Sequence, residues 1–288
     1  MIPIKTSKSM RRSRKMPKHF SLMAVAAALA ILLLPVAFCE EEGPSEAETE
    51  ADLIWRLVQA TDSVGADLAR IDQALLNASL DLSETGIEGP DAREVLSNLT
   101  GLEPWVVDCI TIDLNGTIVE VAPEEYQEVR DTSIRDQEHI ERLFSTKRPA
   151  GLAYIMSVEG FYAMDFASPI FDEEGKLIGA VTILINSTEL FGSALEPYQP
   201  GGSANIWVMM PDGTVIYDTN AEEISRNTFT DPLFQPCSDL LAVAERVKME
   251  RSGKGSYEIS GTARDVFWTT VDYQGEEIWL LLSQSKAD

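Results

Sequence analysis

The 288-residue sequence is poor in the residues that catalysis most often uses. It has two histidines and three cysteines. Only His139, Cys109 and Cys237 of these lie beyond residue 39. A Ser-His-Asp or Cys-His arrangement would have to use that single histidine, and no Gly-x-Ser-x-Gly elbow accompanies it. No Gly-rich phosphate loop ending in Lys-Ser/Thr is present. Asp136 and His139 share a helical face, but two such residues do not make a metal site. Asp113-Leu114-Asn115-Gly116 opens like a calcium loop, yet Thr117-Ile118-Val119 do not continue its ligand pattern. No catalytic residue, metal or cofactor is expected, and the chain reads as a non-enzyme. Two cysteines in so large a body exclude a disulfide-built scaffold. Cys109 sits in an apolar strand pattern and Cys237 in a loop, so they read as separate thiols, with a pairing left open.

Positive charge is the next scarcity. Lys and Arg total 23 against 47 Asp and Glu, a net charge of −24. Seven of the basic residues (Lys5, Lys8, Arg11, Arg12, Arg14, Lys15 and Lys18) lie in residues 1–39, which hold no acid. The remainder carries 16 basic and 47 acidic residues, a net of −31. Such a body repels nucleic acid and anionic surfaces, so no nucleic-acid partner is expected.

Long apolar runs are scarce too. The single one, Phe20–Phe38, has 19 uncharged residues behind the basic flank. It is long enough to span a bilayer, and the flanking charge predicts a cytoplasmic N-terminus with everything after Cys39 outside. Leu34-Pro35-Val36-Ala37-Phe38-Cys39 resembles a lipoprotein cleavage motif, although Phe38 stands where a small residue is usual. Three outcomes stay open: an uncleaved anchor helix, lipidation at Cys39, or release. All three make residues 40–288 extracytoplasmic. The sequons at Asn77, Asn98, Asn115 and Asn186 agree with that side of the membrane as glycosylation acceptors. No second apolar segment follows, so no output domain is expected, and the signal would pass to a separate membrane signalling protein or transporter.

The exported part is ordered as follows. Residues 40–50 read as an acidic tether. From residue 51 to about 85, Leu53, Ile54, Leu57, Val58, Val64, Leu68, Ile71, Leu75 and Leu76 recur at threes and fours, which predicts one long amphipathic helix. Its apolar stripe packs on the domain that follows or joins two copies in a homodimer. A short helix is expected after Pro90. Apolar strand patterns then flank Asn115-Gly116, a strong hairpin signal. A helix follows at 135–146, then strands at 152–158, 161–170 and 177–186. The same order returns: Ala204–Met210, the turn Asp212-Gly213, Thr214–Tyr217, a helix at 238–249, and strands at 255–260, 265–272 and 277–284. The hairpin glycines Gly116 and Gly213, and the later Gly175 and Gly275, mark a repeat of about a hundred residues. Glu196–Gly202 is the breaker-rich linker. The fold class is α+β: a long helix and two tandem lobes, 86–196 and 203–286, each an antiparallel sheet of about five strands with flanking helices.

The second copy holds Asp212-Gly213-Thr214-Val215-Ile216-Tyr217-Asp218-Thr219-Asn220, then Glu222-Glu223-Ile224, Asn227 and Phe229-Thr230-Asp231-Pro232-Leu233. Ser252-Gly253-Lys254-Gly255-Ser256-Tyr257 and Phe267-Trp268-Thr269-Thr270-Val271 come later. The first copy has Ala163–Asp172 and Gly175–Val181. On these stretches the chain resembles the double Cache family of extracytoplasmic sensors, with two PAS-like lobes behind a long helix. The resemblance implies a small-molecule ligand in the first, membrane-distal lobe, under a cover segment at residues 123–150. It also implies the ligand classes: organic acid, amine or amino acid. Arg130 and Arg135 in that cover are candidates to fork a carboxylate, or else surface partners of Asp131, Asp136 and Glu138. Tyr154 and Tyr162 could wall the site or simply pack the sheet. Asp165 matches the aspartate that holds the ligand ammonium in the amino-acid-binding subgroup. Asp136-Gln137-Glu138 follow Arg135 where that subgroup has an aromatic residue. In the second lobe Tyr217, Asp218, Phe229, Tyr257 and Trp268 read as packing. The alternative function is a cell-envelope interaction protein that keeps the fold without a ligand.

Overall fold

A computed structural model describes residues 49–199, 204–259 and 261–286. The expected membrane segment, Cys39 and most of the acidic tether lie outside the described residues. Among the described residues no helix is long and apolar enough to cross a membrane.

The first element, α1 (Glu50–Thr85), is 36 residues long, about 54 Å at 1.5 Å per residue. A reciprocal cap starts it. The Thr49 hydroxyl accepts from the Asp52 N–H at 3.3 Å, and the Asp52 carboxylate accepts from the Thr49 N–H at 3.0 Å. Leu53, Leu57, Ala60, Val64, Leu68, Ile71, Leu75, Ala78 and Leu82 form one buried stripe. Ile54, Val58 and Leu76, expected in the stripe, are exposed. Each is the immediate neighbour of a stripe residue, and one step along a helix turns about 100° away from the seam.

After α2 (Pro90–Thr100) come β1 (Val106–Ile112), β2 (Ile118–Ala122), a 3-10 turn at Glu124–Val129, α3 (Glu138–Thr146), β3 (Ala150–Met156), β4 (Tyr162–Phe171) and β5 (Leu177–Ile185). Then follow α4 (Ser187–Leu195), β6 (Ala204–Met209), β7 (Val215–Tyr217), α5 (Ser238–Met249), β8 (Ser252–Ile259), β9 (Thr262–Tyr273) and β10 (Glu276–Ser285). The ten strands form two antiparallel five-stranded sheets of identical topology, β2-β1-β5-β4-β3 and β7-β6-β10-β9-β8. The α+β double-lobe expectation is therefore met. The repeat extends to detail. Thr117 bridges Ser133 in one lobe and Thr214 bridges Asn227 in the other. Each hairpin glycine also has a cover residue pressed on it. A Cβ on Gly116 (φ 78°) would stand 2.7 Å from Arg135 Cβ, and one on Gly213 (φ 94°) 2.3 Å from the Phe229 ring.

One core runs through α1 and both sheets. It joins Leu68, Ile71 and Leu75 to Cys109, Met164, Phe166 and Ile183 of the first lobe and to Ile206, Val208, Phe267 and Leu280 of the second. The opposite sheet faces carry separate cores, one with Ile140 and Leu143 of α3 and one with Leu240, Val243 and Val247 of α5. The lobes also meet directly. Phe166 lies edge-on to Tyr273 with centroids 5.2 Å apart, and Arg142 pairs with Glu276 at 2.7 Å.

Two elements depart from the sequence reading. The helix α4 follows β5 at residues to which the sequence reading assigned no element. Its cap is Asn186, whose side chain accepts from the Thr188 and Glu189 N–H groups at 3.1 and 3.3 Å. The Asn-Ser-Thr that reads as a sequon is also a helix start. β8 begins three residues earlier than expected, because Gly253 depresses strand propensity. The glycine is required there: a Cβ on it would be 2.4 Å from the Trp268 ring. Cys109 and Cys237 are both free.

Because α1 shares its core with both sheets, truncating Ile71 to Ala should cost about 2–5 kcal/mol and lower one cooperative melting transition for the whole domain. Calorimetry resolving two transitions, only one of them shifted, would refute a shared core.

Candidate functional site

In the first lobe the sheet face away from α1 is apolar over most of its length, with Ile110 and Ile112 on β1 and Ala167 on β4. The pattern breaks at one rung. Asp108 on β1 pairs with Leu184 on β5, which pairs in turn with Asp165 on β4. Both carboxylates are buried, 2% and 3% exposed. The loop before α3 brings Ile134 and Gln137 over this rung, and the turn joining β3 to β4 brings Ser157, Val158 and Glu159. These residues enclose a space of about 20 Å³, room for a single water.

The polar content of that space is one-sided. Asp108 Oδ2, Asp165 Oδ1, Glu159 Oε2, Gln137 Oε1 and Ser157 Oγ are all buried, and among them only the Asp108 and Glu159 carboxyls, which share a proton, partner each other. Three of these five atoms only accept, while the protonated Asp108 carboxyl and the Ser157 hydroxyl can also donate. His139 of α3 supplies one donor: its Nε2 lies 2.7 Å from Asp165 Oδ2. Burial, then the neighbouring Glu159, then Asp165 push the Asp108 carboxyl up to about 9. At neutral pH Asp108 therefore keeps its proton, against an ordinary carboxyl value of 3.8.

The expected site residues are distributed as follows. Asp165 is in the pocket wall. Arg130 instead joins a buried ion pair: it lies 2.7 Å from Glu88 and 3.6 Å from Glu120, which is 0% exposed and is also forked by Arg93 at 2.9 and 3.0 Å. Burial works to raise the Glu120 carboxyl, but Arg93 and the Gly89 N–H outweigh it and hold the carboxyl below its ordinary range. Arg135 is exposed, its guanidinium stacked 4.6 Å above the Phe144 ring. Tyr154 and Tyr162 stack on each other at 5.5 Å. They belong to the other face of the sheet, since Tyr154 is paired with Met164, a residue of the α1-side core. The Tyr154 hydroxyl lies 2.5 Å from Ser225 Oγ of the second lobe. Asn77, Asn98 and Asn115 are exposed, and Asn186 is half-buried.

Sequence reasoning missed Asp108 and Glu159 as pocket residues and His139 as the partner of Asp165. Asp108 had a signal. In Val106-Val107-Asp108-Cys109-Ile110 it is a charge inside an apolar strand, in phase with Ile110 and Ile112. Glu159 lies in a turn and carries no such signal.

The family model described as HK/GC/Chemotaxis protein-like, sensor domain, matches residues 66–187. An extracellular ligand binding receptor from Desulfohalobium retbaense is 31% identical, with a TM-score of 0.72 over 82% of this chain and 41% of that one. The match over the first lobe and the double-lobe fold are both similar to double Cache-like extracellular sensor domains. The chain spans less than half the length of that receptor. The periplasmic sensory domain of the Campylobacter jejuni chemoreceptor Tlp1 shares the fold at 14% identity and a TM-score of 0.62, over 81% of this chain and 94% of that one. The ligand binding domain of the Pseudomonas aeruginosa amino acid chemoreceptor PctB, solved with L-Arg, does so at 16% and 0.60, over 82% and 95%. No curated protein matches the sequence. In double Cache terms, the acceptor-lined space lies in the first lobe, under the segment that the resemblance names as the ligand cover.

The Asp108 proton sets a pH test. Between 3.8 and about 9 the folded protein holds a proton that the unfolded chain releases, so Asp108 makes stability fall as pH rises through that window. Asp108→Asn removes this loss. Its melting temperature should match the parent near pH 4 and exceed it by several degrees at pH 8. Calorimetric profiles that stay parallel from pH 4 to 9 would show that Asp108 is not protonated in the fold.

Proposed function

We propose that the chain is an extracytoplasmic receptor module, not an enzyme, that binds a small organic cation in its first lobe. One observation carries this reading: five buried polar atoms, three of them carboxyl oxygens of Asp108, Glu159 and Asp165, converge on one space with a single carboxyl proton, that of Asp108, among them. Burying such atoms unpaired costs about 1–3 kcal/mol each, and an ammonium group bearing several N–H donors satisfies them together. Of the ligand classes the sequence left open, the amine fits. An organic acid would meet Asp108, Glu159 and Asp165 with no cation beside it, because Arg130 is engaged with Glu120 and Arg135 stacks on Phe144. An amino acid would bring its ammonium to the pocket and leave its carboxylate unmatched.

Entry requires the cover to move. The turn from Ser157 to Gly160 is closed by two backbone bonds, Ser157 N–H to Phe161 at 2.9 Å and Gly160 N–H to Ser157 at 3.1 Å. It tops β3, an edge strand. This turn lifts to admit the ligand and brings Glu159 back over it. The N-terminal basic and apolar segment anchors the module, by a retained helix or a lipid at Cys39, and a separate membrane signalling protein or transporter reads its state. Extracellular and periplasmic relatives support that location.

Thermal-shift and calorimetric titration should show binding of mono- and diamines and no binding of acetate or succinate. Entry of the cation expels the Asp108 proton, so the Kd for an amine should fall about tenfold per pH unit between pH 6 and 8. Asp165→Asn should weaken binding about thirtyfold or more, while Arg135→Ala should leave it within about twofold. A panel in which carboxylates bind and amines do not would overturn the assignment.

A further inference from the structure

The second lobe has a cavity at the equivalent rung. Asn205 stands seven residues before the turn residue Asp212, as Asp108 stands seven before Asn115. Asn205 pairs with Ser283 on β10, and Ser283 pairs with Val266 on β9. This is the same β6-β10-β9 ladder, on the same face, as the Asp108-Leu184-Asp165 ladder of the first lobe. Here the space is about 320 Å³, against 20 Å³ in the first lobe. That size lies within the range of small-molecule sites. Trp207, Phe234 and Tyr257 supply aromatic walls.

The polar groups of this cavity have both signs. Asp218, 8% exposed, accepts from the Asn220 N–H at 2.7 Å and from Asn205 Nδ2 at 3.0 Å. Asn220 Nδ2 in turn donates to Glu223 at 2.9 Å. Two atoms are left over. Asn205 Oδ1, an acceptor, and Arg264 Nε, a donor, are both buried without a partner. Burial raises the carboxyls of Asp218 and Glu223 above their ordinary values, and Arg264 opposes this in both. A complementary ligand must therefore offer an acceptor to Arg264 and a donor to Asn205 and the two carboxyls.

We infer that the second lobe is a second binding site, for a small zwitterion whose carboxylate faces Arg264 and whose ammonium faces Asn205, Asp218 and Glu223. Its mixed lining distinguishes it from the carboxyl-rich pocket of the first lobe, and the two sites share no residue. The module thus reads two chemically different ligands, a cation in one lobe and a zwitterion in the other.

The test uses the full-length chain carrying Asp108→Asn, which disables the first pocket, titrated calorimetrically with glycine, β-alanine and γ-aminobutyrate. At least one should bind at one site per chain. Adding Arg264→Leu or Asn205→Leu should weaken it about thirtyfold or more, and Arg264→Lys, which keeps the charge without the fork, should recover part of the loss. Melting temperature reports whether each variant folds, and in the parent background the Arg264→Leu chain should still bind an amine in the first lobe. Zwitterion binding that survives Arg264→Leu, or no binding of any of the three to a folded Asp108→Asn chain, would overturn the second site. Failure of amines to bind the parent would overturn the first-lobe reading alone.

Discussion

The structure depends on the burial of one helical stripe. Leu53 through Leu82 of α1 meet the near faces of the two sheets, together with α2 and α4, and both sheets need α1 to cover those faces. Two repeats that could each have closed on a helix of their own are thereby fused into one core. At about 25 cal/mol per Å² of apolar area removed from water, this shared seam outweighs the polar links between the lobes. Those links are a few hydrogen bonds and ion pairs, such as Tyr154 with Ser225 and Arg142 with Glu276. Exposed pairs of that kind contribute about 0–1 kcal/mol each.

Fusing the lobes on one side fixes what the other side can do. With the inner faces committed to α1, each outer face is covered by a short local helix, α3 of nine residues and α5 of twelve. Neither is long enough to cover a whole sheet, and the rung that each leaves to loops is where polar side chains enter the sheet face. Two cavities at the same rung of two repeats follow from that geometry, with contents set by a few residues. Asp108, Asp165 and Glu159 give one lobe a carboxyl-rich lining without a basic side chain, while Asn205, Arg264 and Asp218 give the other both signs.

The architecture was legible because its signals are local and occur twice. Asn115-Gly116 and Asp212-Gly213 mark hairpins through a backbone conformation that glycine adopts freely, and the threes and fours of Leu and Ile mark α1. The site was less legible because it is assembled across strands. Asp165 came from family resemblance. Tyr162 was grouped with it, although three residues apart on a strand is an odd step that puts the two on opposite faces. Arg130 and Arg135 read as carboxylate forks or as surface partners of Asp131, Asp136 and Glu138. What occupies them, Glu120 from β2 and the Phe144 ring from α3, sits on a neighbouring element or carries no charge. Burial of Glu120 at 0% exposure is a tertiary fact that local charge patterning does not encode.

The rung that holds the first pocket is also a wall of the shared core. Asp108 faces the pocket, and the next residue, Cys109, faces α1 and is fully buried. Asp165 faces the pocket, and its neighbours Met164 and Phe166 lie in the α1 core, with Phe166 against Tyr273 of the second lobe. A close-packed interior passes on displacement because it has no slack to absorb it. Without a bound cation, the rung holds three carboxyl groups whose mutual repulsion and burial keep Asp108 protonated. In the proposed complex an ammonium replaces that proton and draws the same groups together. The liganded and free arrangements therefore differ in the contacts of a single rung, which is the differential interaction that any ligand-driven shift requires. The residues one step along the same strands carry that difference directly to α1 and to the second lobe.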